Sequence, residues 1–105
     1  MKINFHKTLG GLEYINKVAK DESDRVALIL LFREILIDPE MTFKVHTRKK
    51  LKGFKEKVYE IRKLDYRIFY IMQDDCMHVL DIIKKKKNNT EKRYIDVLKQ
   101  RAKEI

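Results

Sequence analysis

The chain predicts a single α+β domain spanning 1–105, and three observations predict it. Apolar residues recur at helical spacing through much of the first 40 positions. Three short alternating runs follow at 57–62, 66–72 and 76–83, joined by links short enough for hairpins. Residues 91–105 then return to a helical stripe. Helices and strands grouped in this way favour α+β over a repeating βαβ order, and the length supports one modest core.

Each element has its own signal. "KINFH" (2–6) alternates and predicts a short strand. "GGLEYINKVAK" (10–20) carries Leu12, Ile15, Val18 and Ala19 at helical spacing. "DESDRVALILLFREILIDPE" (21–40) predicts a longer helix, with Asp21 or Ser23 as its cap, acidic residues in its first turn and Pro39 as its end. It is apolar on nearly all sides, Arg25, Arg33 and Glu34 being the main exceptions. A chain of this size cannot cover such a helix completely, so one face is expected to meet a partner protein.

"TFKVHTRKKLKGFKEK" (42–57) has no stripe and reads as an exposed, mobile basic loop. "KVYEIR", "YRIFYIM" and "CMHVLDII", linked by "KLD" and "QDD", predict an antiparallel three-stranded meander whose middle strand is apolar on both faces. "KKKKNN" (84–89) is a loop, after which Thr90 caps a C-terminal helix with Tyr94, Ile95, Leu98, Ala102 and Ile105 on its stripe. The full order is an N-terminal strand and two helices, the meander and a last helix, with the helices expected on one side of a curved sheet.

Net charge is +9, unevenly placed. Residues 1–42 carry 6 basic and 7 acidic side chains, whereas residues 43–105 carry 19 and 9. Such polarity points to a polyanionic partner, nucleic acid ahead of membrane. The single cysteine, Cys76, excludes an internal disulfide, fits a reducing cytosol and reads as a small buried hydrophobe. No signal peptide is expected, and "VALILLF" (26–32) is too short to span a bilayer. A soluble cytoplasmic protein is the expectation.

Several chemistries are set aside. His6, His46 and His78 are far apart in the chain and no Cys or His pair has ligand spacing, so neither a metal nor a cofactor is expected. Three glycines, Gly10, Gly11 and Gly53, cannot build a phosphate-binding loop. Ser23 is the only serine and reads as a helix cap, not a nucleophile.

"EIRKLDYRIFY" (60–70) holds two arginines inside the best strand signal. Alternation puts Val58, Glu60 and Arg62 on one face of their strand, and Arg67, Phe69 and Ile71 on one face of the next. Glu60, Arg62 and Arg67 can therefore share an open, concave side, with the lysines from Lys84 onward at its rim. Arginine binds phosphate through paired hydrogen bonds and aromatic rings stack unpaired bases, so single-stranded nucleic acid fits this face. The other reading is an ion pair of Glu60 with Arg62 or Arg67 that solubilises an exposed sheet. Composition leaves the two readings even.

The stretch from Leu51 to Thr90 resembles the signature of the RelE/ParE toxin superfamily, its phage-derived, HigB-like branch above all. A leucine–x–glycine loop (Leu51–Gly53), "VYEIR" (58–62), "YRIFY" (66–70), a strand ending in Lys85–Lys86 and a Thr-led last helix carry the likeness over about half the chain. The resemblance implies a RelE-like fold and the toxin of a type II toxin–antitoxin pair, a ribosome-dependent mRNA endonuclease that needs no metal. The substrate's 2′-hydroxyl would attack the adjacent phosphate. By position, Arg62 and Arg67 would stabilise that phosphate, Lys85 and Lys86 would assist the leaving group, and Glu60 is the candidate base. Lys49, Lys50, Lys52, Lys55 and Lys84 would grip RNA, and Tyr94 would stack on the substrate. Implied partners are a cognate antitoxin, mRNA on the ribosome and ribosomal RNA, with no membrane. Other members carry a histidine at the strand end where this chain has only lysines. The alternatives are a ParE-like gyrase-inhibiting toxin and a non-catalytic phage nucleic-acid-binding protein.

Overall fold

A computed structural model describes residues 1–46, 49–84 and 92–105. Lys85, Lys86 and Thr90, to which the sequence assigns roles, lie outside the described residues. In order, the elements are β1 (Lys2–Phe5), α1 (Tyr14–Val18), α2 (Glu22–Ile37), α3 (Pro39–Val45), β2 (Lys49–Lys50), β3 (Val58–Lys63), β4 (Tyr66–Gln73), β5 (Cys76–Lys84) and α4 (Lys92–Lys103).

The meander β3–β4–β5 is antiparallel, as its short links require. Asp74 and Asp75 turn the second hairpin with φ of 53° and 57°, a left-handed pair that aspartate tolerates better than most side chains. Asp75 also anchors β1: its carbonyl accepts from the Lys2 N–H and its carboxylate pairs with the N-terminal ammonium at 3.0 Å. Held there, β1 runs parallel to β5, and the sheet is mixed, in the order β1-β5-β4-β3-β2. The stretch expected to be an exposed loop holds the second half of α3, whose Thr42 and Phe43 are buried, and the short β2, which pairs Lys49 with Glu60 and Lys50 with Tyr59.

Helix α2 starts as expected, Asp21 accepting from the Ser23 N–H at 2.8 Å, and these bonds hold the Asp21 carboxyl below the usual range. Pro39 both stops α2 and opens α3, where a fixed φ and a missing N–H cost nothing at the first position.

The helices do not share one side of the sheet. Leu28, Leu31, Phe32 and Ile35 of α2, with Ile15 and Phe43, bury the face formed by Ile61, Ile68, Tyr70, Met77, Val79 and Ile82. Leu98 and Ala102 of α4 pack on the opposite face, against Val58, Phe69, Ile71 and Leu80. The physical reason is the middle strand: β4 is buried along both faces, so both need a helical cover.

One irregularity shapes the second face. Phe69 pairs with Asp81 while Tyr70 pairs with Val79, leaving Leu80 as the extra residue of a β-bulge. The bulge turns both Leu80 and Asp81 toward α4.

Candidate active site

The two-residue hairpin at Leu64–Asp65 sets Arg62 directly opposite Arg67. Like charges in that position repel. The repulsion is relieved by Glu60, which lies on the same face and takes both guanidinium groups. Arg62 Nε donates to Glu60 Oε2 at 2.7 Å, and an Arg67 terminal nitrogen donates to Oε1 at 3.4 Å. The Glu60 side chain is 3% exposed and Arg67 11%, whereas Arg62 is 51% exposed. The shared face is present, and so are both ion pairs that the sequence allowed, Glu60 with Arg62 and Glu60 with Arg67.

This triad lies on the α4 side of the sheet, yet Leu98 and Ala102 bury themselves farther along, over Val58 and Ile71, and leave Arg62 open to solvent. Lys49, cross-strand from Glu60, is exposed on the same face. The loop after β2 holds Lys52 and Lys55, both exposed.

Two expected lysines stand elsewhere. Lys50 pairs with Tyr59 and so belongs to the α2 side. Lys84 pairs with Tyr66 and sets its ammonium 5.7 Å from that ring's centre, also on the α2 side, so it does not border the arginines on their own face.

Tyr94 has a structural engagement. Its ring tilts against Phe69 with centroids 5.8 Å apart, and its hydroxyl donates to Asp81 Oδ2 at 2.7 Å. Asp81 is the second buried carboxylate of this face, and composition did not single it out. Tyr14 of α1 donates to Oδ1 at 2.6 Å, Arg101 pairs with Oδ2 at 2.9 Å and also donates to the Leu80 carbonyl, and the Ile82 N–H donates to Oδ1. Burial, and then the Asp81 carboxylate, push both tyrosine hydroxyls far above their ordinary pKa. The signal was present in "HVLDIIK": an aspartate inside an apolar run must find partners when the strand is buried.

The histidines do not approach the arginines. His6 is buried and bridges Thr8 and Glu104, and His46 Nε2 lies 3.7 Å from Glu34. His78 lines a cleft of about 210 Å³ with His6, Lys7 and Glu104. Among the described residues no cluster of His, Cys, Asp and Glu could hold a metal ion, and no helix is long and apolar enough to cross a membrane.

Fold and site together define a small α+β protein with a clamped pair of arginines on one sheet face and Lys49 exposed on that same face. The family described as "Phage derived protein Gp49-like (DUF891)" matches residues 14–103, and the chain belongs to that family. The fold is also that of a chain in a solved complex. The chain is similar to one in the "Crystal structure of archaeal RelE-RelB complex from Pyrococcus horikoshii OT3", at 20% identity and a TM-score of 0.60, covering 82% of this chain and 96% of that one. These findings bear out the resemblance to the RelE superfamily and its phage-derived relatives. A comparison with curated protein sequences returned no match.

Proposed function

We propose that this protein is the toxin of a type II toxin–antitoxin pair and acts as a ribosome-dependent mRNA endonuclease. The observation that carries this reading is the pair Arg62–Arg67, on one face, held by one carboxylate and partly open to solvent. Preorganised guanidinium groups suit a phosphate whose negative charge grows during reaction.

In the proposed reaction the substrate's 2′-oxygen attacks the adjacent phosphorus as the bond to the 5′-oxygen breaks. The 2′-hydroxyl proton leaves to a base, the departing 5′-oxygen gains a proton, and the products are a 2′,3′-cyclic phosphate and a 5′-hydroxyl. Arg62, with Arg67 behind it, binds the phosphate oxygens. Lys85 and Lys86 are proposed to assist the leaving group. Lys49, exposed cross-strand from Glu60, and Lys52 and Lys55, exposed in the loop that follows β2, contribute the electrostatic grip on RNA. Lys50 and Lys84 would add to that grip from the edge of the α2 side. Tyr94 is proposed to border the substrate with its ring while its hydroxyl stays on Asp81.

The proposed antitoxin meets the other side of the molecule. Val26, Ile29, Leu30, Leu36 and Ile37 of α2 are exposed. A cleft of about 380 Å³ between α2 and β1 is lined by Ile3, Phe5, Leu12, Ile29, Phe32 and Leu36. Apolar surface of this extent is a mark of a protein partner. The similar archaeal chain was solved in a RelE-RelB complex.

In vitro translation followed by primer extension tests the activity. Cleavage within translated mRNA, in register with codons and lost in Arg62→Ala, is the expected result. Gyrase-dependent DNA breaks without mRNA cleavage would replace this reading with the gyrase-poison one, and neither activity would leave a binding protein.

A further inference from the structure

Resting on the nuclease reading, we propose that Glu60 is a positioning residue that aims Arg62 at the substrate phosphate, and not the base that removes the 2′-hydroxyl proton. A general base has to come within about 3 Å of the proton it takes. Glu60 is 3% exposed, and each of its oxygens already accepts from a guanidinium. The solvent-facing member of the triad is Arg62, at 51%.

The atoms involved say what the carboxylate does. Glu60 holds Arg62 by Nε, and among the described residues nothing engages the two terminal nitrogens. A guanidinium gripped by one edge presents the other as a fork for two phosphate oxygens. The second carboxylate oxygen restrains Arg67 from the neighbouring strand, so one side chain sets the relation between two cations that would otherwise repel. Lys49 stands cross-strand from Glu60 and has no ion-pair partner among the described residues. Three cations around one carboxylate leave the face attractive to an anion.

The sign of one effect separates this role from the alternatives. Removing a carboxylate beside a phosphate site tightens RNA binding if charge alone matters. It weakens binding if the carboxylate aims the arginine. The probe is a single-stranded RNA oligonucleotide with 2′-O-methyl sugars, on which no 2′-hydroxyl chemistry can occur, titrated against wild type, Glu60→Gln, Arg62→Lys and the double variant. Expected are losses of about tenfold in affinity for each single variant, with the double variant no worse than Arg62→Lys alone. On ribosome-bound mRNA, Glu60→Gln should keep the wild-type pH dependence of cleavage while the rate falls. Binding equal to or tighter than wild type, together with loss of cleavage and of the acidic limb of the pH profile, would overturn the proposal and restore Glu60 as the base.

Two controls keep the test decisive. If Glu60→Gln does not fold by circular dichroism, Glu60→Asp keeps the charge and shortens the reach, and oligonucleotide binding at the wild-type level would overturn the proposal. The Arg62 Nε–H signal in NMR reads the hydrogen bond without RNA. It should exchange slowly in wild type and rapidly in the variant; rapid exchange in both sinks the positioning role. Absence of mRNA cleavage by wild type, with the binding and NMR results as expected, would remove the nuclease reading and leave Glu60 aiming a binding arginine.

Discussion

Tyr14 of α1 and Tyr94 of α4 donate to the two oxygens of one carboxylate, at 2.6 Å to Asp81 Oδ1 and 2.7 Å to Oδ2. Their helices pack against opposite faces of the sheet. The contact is possible because β1 pairs with β5 only from Cys76 to Val79, leaving the strand's edge open beside Asp81. Arg101 adds a charge to the same hub. Asp81→Asn is expected to lower unfolding free energy by about 2–4 kcal/mol, since it leaves Arg101 and two hydroxyls poorly paired. Tyr14→Phe, which deletes one bond, should cost about 1 kcal/mol. Urea denaturation of both variants checks this, and equal losses would mean that Asp81 does not act as a hub.

Alkaline stability follows from three tyrosines. Burial, and then hydrogen bonding to Asp24, push Tyr66 up to about 12, and Tyr14 and Tyr94 lie higher still. Above pH of about 10 the unfolded chain releases these protons while the folded chain keeps them, so stability is full below that pH and falls as pH rises. Each tyrosine contributes a slope of at most about 1.4 kcal/mol per pH unit. Denaturation series between about pH 9 and 11 should show the fall, and Tyr94→Phe should flatten it. An unchanged slope in that variant would contradict the assignment.

The two arginines should separate activity from stability. Arg62 is half exposed and Arg67 nearly buried against the same carboxylate. Arg62→Lys, which keeps a cation beside the buried Glu60 but loses the planar fork, is expected to reduce mRNA cleavage by about 10²-fold with a melting temperature close to wild type. Arg67→Ala should also lower stability, by about 1.5–3 kcal/mol, because it removes a charged hydrogen bond from a buried carboxylate. Thermal melting alongside the cleavage assay distinguishes them.

The hairpin that sets Arg62 against Arg67 carries a strained residue. Leu64 has φ 54°, a left-handed conformation that costs leucine about 1–2 kcal/mol, and its side chain is exposed. Leu64→Asn should therefore stabilise the protein by about 0.5–1 kcal/mol while keeping the register. A lower urea midpoint would show that the leucine has an unseen packing role.

On α2, Ile29 and Leu30 are 43% and 46% exposed. Ile29→Lys and Leu30→Lys should change stability by no more than about 0.5 kcal/mol and abolish rescue by a co-expressed antitoxin. Toxicity that remains neutralised by that partner would place the antitoxin elsewhere.

The meander, the longer helices and the shared face of Glu60, Arg62 and Arg67 were legible in the chain because alternation, helical spacing and short links are local properties. By contrast, α3 and β2 were not, falling wholly or partly in a basic stretch with no stripe. Local spacing sets which side of its own strand a residue takes, and hairpin links set which strand comes next. Three things were decided only on folding: α4 crossed to the second face of the sheet, β1 joined in parallel, and the bulge at Leu80 turned Asp81 inward to meet Tyr14, Tyr94 and Arg101. The same non-local packing set Lys84 on the α2 side and made Glu60 a shared counterion. Each of these depends on which distant segment buries which apolar face, a competition for contact area that no window of neighbouring residues contains.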